Sequence, residues 1–286
     1  MTARRLQAVI ESVAASDGAG VKLRRSLGSG PYRRFDPFLM LDEFYSDDPD
    51  DYLAGFPSHP HRGFETVTYM LDGVMRHEDV LGNRGDIGPG DVQWMTAGRG
   101  VIHSEMPQQA AGRMRGFQLW INLPAREKMK PAAYRGIPSA GIPTVPLAGG
   151  GEVRVIAGAL DQEGRATSGP IGGLSTDPLY FDLRLPPGVT ATIPTPSAHN
   201  VFLYVYEGDA AVGDDARTLP FRAAGLLTPG DEVRVVAGPG GARLLMLGGK
   251  PIGERVVQYG PFVMNTPEEI QQAIRDYQGG TLSAAG

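Results

Sequence analysis

The sequence predicts an all-β chain built as two β-barrels in tandem, closed by one short C-terminal helix. Three observations carry this prediction. Forty glycines and 24 prolines in 286 residues suit short strands joined by tight turns. β-branched and aromatic runs recur at the spacing of a sandwich or barrel. Turn motifs also repeat. Asp72-Gly73 returns as Glu207-Gly208 at an offset of 135. Pro89-Gly90-Asp91 returns as Pro229-Gly230-Asp231, and Ala97-Gly98-Arg99-Gly100 as Ala237-Gly238-Pro239-Gly240, both at 140. Two copies of one all-β unit account for the length.

The first clear strand is Glu65 to Leu71, and Asp72-Gly73 after it predicts a hairpin with Val74 to Val80 returning. Val92 to Thr96, Arg115 to Leu123, Glu152 to Ile156, Val201 to Tyr206, Glu232 to Val236 and Ala242 to Leu247 follow as strands. Prolines crowd the stretch from Pro124 to Pro146. They place one barrel at residues 1–130, a linker at 131–146 and a second barrel at 147–286. The Lys128–Lys130 segment reads as solvated connection. At the end, Thr266, Pro267 and Glu269 form a capping box for a helix over 267–278. Its Ile270, Ala273, Ile274 and Tyr277 make one stripe that must pack against a barrel, and Gly279-Gly280 stops it.

Composition removes several function classes. There is no cysteine, hence no disulfide, thiolate nucleophile or cysteine-held metal. No apolar run reaches the roughly 18 residues of a membrane helix. The first residues lack the apolar stretch of a secretory signal, so a cytoplasmic location is expected. A net charge of −5 argues against direct nucleic-acid binding.

The histidines point to a metal. His59-Pro60-His61 and His103-Ser104-Glu105 are two i, i+2 pairs, and in a strand such residues share a face. Three neutral imidazoles and a carboxylate suit a divalent first-row ion. Under the repeat offsets these positions become Pro194, Pro196, Arg243 and Leu245, so the ligands vanish while the turn residues persist. Metal is therefore expected in the first barrel alone. Glu65 is a rival to Glu105, because His59-x-His61-x3-Glu65 resembles the first motif of cupins. His77 and His199 have no ligand partner at i+2 and read as hydrogen-bonding or surface residues. Arg99, in a Gly-rich turn, reads as a backbone brace.

Longer stretches carry a family resemblance. Phe56-Pro-Ser-His-Pro-His-Arg-Gly-Phe-Glu-Thr-Val-Thr-Tyr69 and Gln93-Trp-Met-Thr-Ala-Gly-Arg-Gly-Val-Ile-His-Ser-Glu-Met-Pro107 closely resemble the pirin family of bicupins. So do Phe35-Asp-Pro-Phe-Leu-Met-Leu-Asp-Glu-Phe44, Gln118-Leu-Trp-Ile-Asn-Leu123 and Gly260-Pro-Phe-Val-Met-Asn265. The resemblance implies two cupin (jelly-roll) barrels with one metal, usually iron, in the first. It puts the ligands on His59, His61, His103 and Glu105, and leaves Glu65 as a pocket wall or a partner behind the ligands. Some bacterial members look like quercetin 2,3-dioxygenases, and eukaryotic members are described as nuclear transcriptional co-regulators.

Such a site would carry a charge of about +1 with two open positions if octahedral, which a deprotonated flavonol or related aromatic enediol would neutralise. The expected activity is dioxygenation of that substrate with O₂. Glu105 would take the substrate hydroxyl proton. Fe(II) is the expected ion, with Ni, Cu, Mn, Co and Zn as alternatives. Phe56, Glu65, Trp94 and Gln118 are candidate pocket residues, although core packing is the more ordinary role for Phe56 and Trp94. The contrasting expectations are a redox-sensing regulator acting through protein partners and a scaffold with a structural metal. An open cavity at the metal favours the enzyme, and a closed four-ligand site the scaffold.

Overall fold

The structure, a computed structural model, describes residues 2–29 and 34–283. It is two cupin barrels, with a single α-helix among the described residues. One compact unit holds residues 13–34, 38–139 and everything from 252 onward, and the other holds the start of the chain to 12, 35–37 and 140–251. No described helix is long and apolar enough to cross a membrane.

In the first unit a seven-stranded sheet runs in the order Ala133–Ile137, Val92–Thr96, Phe64–Asp72, Met114–Asn122, Phe38–Ser46, Val21–Arg25, Val13–Asp17. A four-stranded sheet, Phe56–His61, Val101–Pro107, Met75–Asp79, Arg84–Ile87, completes it. Val21, Leu23, Phe44, Met70 and Met114 from the first sheet bury against Met75 and Ile87 from the second. The strands alternate inward and outward side chains, and the inward apolar ones form this core.

The second unit repeats the order. Its sheet runs Leu6–Glu11, Ala223–Leu227, Asn200–Val212, Glu232–Gly249, Leu179–Leu185, Glu152–Ala157, Thr144–Pro146. Position by position, the N-terminal strand Leu6–Glu11 occupies the edge that Ala133–Ile137 fills in the first barrel. Arg4 anchors it, donating from Nε to Thr195 Oγ1 (2.9 Å) and from Nη2 to the Pro196 carbonyl (2.8 Å).

Several expectations change here. The stretch 131–146 is not a free linker, because both its strands pair into sheets. The chain's first strand joins the later barrel, and its last helix joins the earlier one. Edge strands are recruited by open backbone donors and acceptors, and these do not respect sequence order. Asp72-Gly73 does not close a hairpin, since Phe64–Asp72 and Met75–Asp79 lie in different sheets. Gly73, at φ 83°, turns the chain from one sheet to the other, as jelly rolls require. In the second barrel Glu207-Gly208 lies inside one long bulged strand.

The repeat alignment also shifts. Pro89-Gly90-Asp91 leads into Val92–Thr96, whereas Pro229-Gly230-Asp231 leads into the strand that pairs as Val101–Pro107 does. The counterpart of the His59–His103 region is therefore Ile193 opposite Val233 and Ala191 opposite Val235. All four sit in the apolar core of the second barrel. Arg243 and Leu245 correspond instead to the strand Met114–Asn122. The second barrel still has no ligands at these positions, but the replacement is a packed hydrocarbon interior.

The helix Pro267–Gln278 has the expected capping box, with Thr266 Oγ1 accepting from Glu269 N and Glu269 Oε2 accepting from Thr266 N. Ile270 and Ala273 are buried with Phe262, Met264 and Leu282, and Ile274 packs against them. Tyr277 stays exposed, its ring edge on Phe262. Lys128 is not solvated. Its ammonium is buried and donates to the Gly63 carbonyl (2.7 Å), Asn122 Oδ1 (2.6 Å) and the Val263 carbonyl (3.0 Å). Gly63, at φ 90°, permits this convergence, because any Cβ there would collide with the Val263 carbonyl.

Candidate metal centre and its cavity

His59 and His103 face each other across paired strands, and His61 sits opposite Val101. A β-bulge follows, so that Glu105 pairs with Phe56. Bulges re-aim side chains, and Glu105 is not part of the tight cluster that the three imidazoles form. One ring nitrogen from each of His59, His61 and His103 lies within 4.8 Å of the others. Such a cluster of nitrogens is positioned to hold a metal ion.

The protonation states fit a metal. His59 Nδ1 is 2.8 Å from the Pro57 carbonyl, which can only accept. That fixes the proton on Nδ1 and leaves Nε2 with its lone pair, 3.0 Å from His61 Nε2. His103 Nε2 is buried without a hydrogen-bond partner. Burial holds the imidazoles of His61 and His103 well below their ordinary pKa, hence neutral. Crowded neutral imidazoles, with orphaned nitrogens on His61 and His103, are the donor set that a divalent ion satisfies.

His77 acts behind this cluster, a role its isolated position in the sequence did not reveal. Its Nδ1 is 3.1 Å from His103 Nδ1, and it is buried against the Tyr134 ring. Burial pushes its pKa down to about 4. Two neutral imidazoles at that distance share one proton. For His103 to offer Nε2 to a metal, the proton must sit on His103 Nδ1 and His77 must accept it. The only sequence signal was its alternation with Met75, which places both on the inward face. We predict that His77→Ala weakens metal affinity roughly 10- to 100-fold, the range for partners behind a ligand. His77→Asn, which keeps an acceptor, should recover part of it. Chelator competition measures this, and an unchanged affinity in both variants would remove His77 from the site.

Glu105 is buried, and burial pushes its carboxyl pKa up against the opposing influence of His59 and two hydrogen bonds. Gln118 Nε2 donates to Glu105 Oε2 at 3.3 Å. The Thr68 hydroxyl lies 3.1 Å from Glu105 Oε1 and 2.7 Å from Gln118 Oε1, so its single proton serves one of them at a time. Thr68 is thus a further partner of the carboxylate.

A cavity of about 780 Å³ opens onto His59, His61, Thr68, Glu105 and Gln118. Phe56 and Trp120 line it, with Leu39 and Met40 among its apolar walls. Glu65 and Trp94 do not. Glu65 is three residues from Thr68 on the same strand, so it faces the other way. There it accepts from Trp94 Nε1 (3.1 Å) and Thr96 Oγ1 (2.7 Å) as a buried structural carboxylate. His199 is buried in the second unit, 3.2 Å from Asp177. Arg99 accepts at its carbonyl from Arg62 Nε, in a backbone role.

Comparison with known proteins agrees with this architecture. Residues 20–121 match the pirin family, and residues 180–283 match the pirin C-terminal cupin domain. A Pseudomonas aeruginosa protein provisionally named a quercetin 2,3-dioxygenase is 54% identical over 270 residues, 94% of each chain. A pirin-like protein of Caulobacter vibrioides is 51% identical over 280 residues, 98% of this chain and 99% of that one. The crystal structure of a quercetin 2,3-dioxygenase from Acinetobacter baumannii superimposes with a TM-score of 0.89 at 33% identity, covering 98% of both chains. With both cupin domains matched and relatives above half identity along nearly the whole length, the chain belongs to the pirin family.

Proposed function

We propose that this protein is a metal-dependent dioxygenase that opens flavonols such as quercetin, or a related aromatic enediol, with O₂. His59, His61, His103 and Glu105 are its metal ligands, and Fe(II) is its ion. The observation that carries the reading is the cavity: the histidine cluster opens into a large, mostly apolar chamber, as a catalytic site requires and a purely structural one does not. The names of the Pseudomonas and Acinetobacter relatives support the substrate class.

A divalent ion here would supply a Lewis-acid centre that holds substrate and O₂ together. The chain does the rest. His61 and His103, kept neutral by burial, present lone pairs. Phe56 and Trp120 offer aromatic surface to a flat ring system. Apolar walls exclude water from the reacting face. Glu105 accepts the substrate hydroxyl proton, and Gln118 and Thr68 keep its oxygens aimed while it does so.

The test is metal analysis of protein purified without an affinity tag, followed by O₂ uptake with a panel of flavonols and other enediols. About one ion per chain and flavonol-dependent uptake are expected. No uptake by fully iron-, nickel- or copper-loaded protein would overturn the enzyme and leave a metal-dependent regulator working through protein partners.

A further inference from the structure

The same cavity has further polar lining. Two arginines also line it, Arg25 and Arg34. Arg25 has its charge paired. Its Nε and Nη2 grip the buried carboxylate of Asp42 at 2.8 and 2.6 Å, and Nη2 also meets Asp17 at 2.9 Å. Arg34 is different. It is half-buried, and its one hydrogen bond among the described residues runs from Nη2 to Gln258 Oε1, at 2.6 Å. No described carboxylate pairs with it. Gln258 is a neutral acceptor that orients the guanidinium without cancelling its charge.

A guanidinium carries five N–H donors, and the one bond to Gln258 leaves others free to meet a ligand in the cavity. Burial pushes the Arg34 pKa below its ordinary value, with no anion to oppose it. The fork of a guanidinium matches a carboxylate in bidentate geometry. At the histidines, a divalent ion with Glu105 and three neutral imidazoles would leave about one positive charge, which an enediolate would take up. The charge on Arg34 stays unmatched by that interaction.

We propose that Arg34, oriented by Gln258, is the anchor for an acidic substituent of the substrate, so that this cavity selects aromatic enediols that carry a carboxylate in addition to the enediol. This rests on the reading of the cavity as a substrate site and deepens it. Leu39, Met40, Phe56 and Trp120 supply the apolar wall for the ring system. Arg34 is a specificity residue and takes no part in the chemistry.

The test measures binding, without turnover. Zinc-loaded protein under argon is titrated calorimetrically with 3-hydroxyflavones carrying a carboxylate at the 3′, 4′ or 7 position, and with their methyl esters. At least one acid should bind wild type roughly tenfold more tightly than its ester, about 1.4 kcal/mol. Arg34→Gln should erase that preference, and Arg34→Lys should keep part of it, since an ammonium retains the charge but not the fork. The preference should also shrink as salt rises. Absence of any acid preference in wild type would overturn the proposal without reliance on a variant, as would a preference that survives Arg34→Gln. Loss of the dioxygenase reading would look different: no O₂ uptake, with the acid preference intact.

Discussion

His61→Ala is expected to strip the metal, while Glu105→Gln is expected to retain some of it and lose turnover. His61 is buried between the rings of Phe64 and Trp120, which meet it at centroid distances of 5.1 and 5.3 Å. Alanine leaves an apolar gap there with no nitrogen, and no nearby donor can swing in. Affinity should fall by more than roughly 100-fold, beyond the range seen for partners behind a ligand. Glu105→Gln is nearly isosteric. The new amide can turn its oxygen toward Gln118 Nε2 and its NH₂ toward the Thr68 hydroxyl, so the local network survives. What disappears is a negative charge and a proton acceptor. Turnover per bound metal should drop roughly 10²-fold or more, the scale of a lost general base. Metal content by mass spectrometry and O₂ uptake at equal loading separate the two effects. Undiminished turnover in loaded Glu105→Gln would remove Glu105 from the mechanism.

The second large effect is on stability. Lys128→Met should leave the Gly63 carbonyl, Asn122 Oδ1 and the Val263 carbonyl without their shared donor. At roughly 1–3 kcal/mol for each buried group left unpaired, a loss of about 3 kcal/mol or more is expected. For a unit of this size that lowers Tm by roughly 6–12 °C. The pH dependence has a definite sign. Burial pushes the Lys128 ammonium down to about 8, with Glu254 and Glu269 opposing it. In the unfolded chain a lysine titrates near 10.4. Between these values the unfolded chain holds more protons, so wild type should gain stability relative to Lys128→Met as pH rises from 8 toward 10.4. The gain is at most about 3 kcal/mol. Denaturant melts of both proteins across that window measure it. A difference that narrows with rising pH would mean that the three acceptors stabilise the ammonium by more than burial penalises it.

Some of the site was legible because its signals are short-range. The pairs His59/His61 and His103/Glu105 could be put on shared faces from strand alternation alone. Gln118 was matched with Trp120 by the same rule, and both line the cavity. Glu65 and Trp94 lie close to the ligand motifs in sequence yet do not line the cavity, because their face of the strand depends on phase relative to Thr68, and proximity to the ligand motifs does not fix phase. His77 was missed for a different reason. Its partner is 26 residues away, and a lone histidine carries no pattern of its own.

By itself the sequence determined the all-β class, the two repeated units, the capped helix from Thr266, and a cluster of metal-binding residue types confined to the first half. Each follows from local pattern or its recurrence along the chain: turn chemistry, alternation, capping and repeated turn motifs. Only the tertiary structure decided that Leu6–Glu11 completes the later barrel, that the helix packs in the earlier unit, that Lys128 is buried, and that Gln258 meets Arg34. Strand edges choose partners by open hydrogen-bonding groups, and charges become buried or exposed through what packs over them. Both depend on contacts far apart in the chain, which residue spacing does not encode.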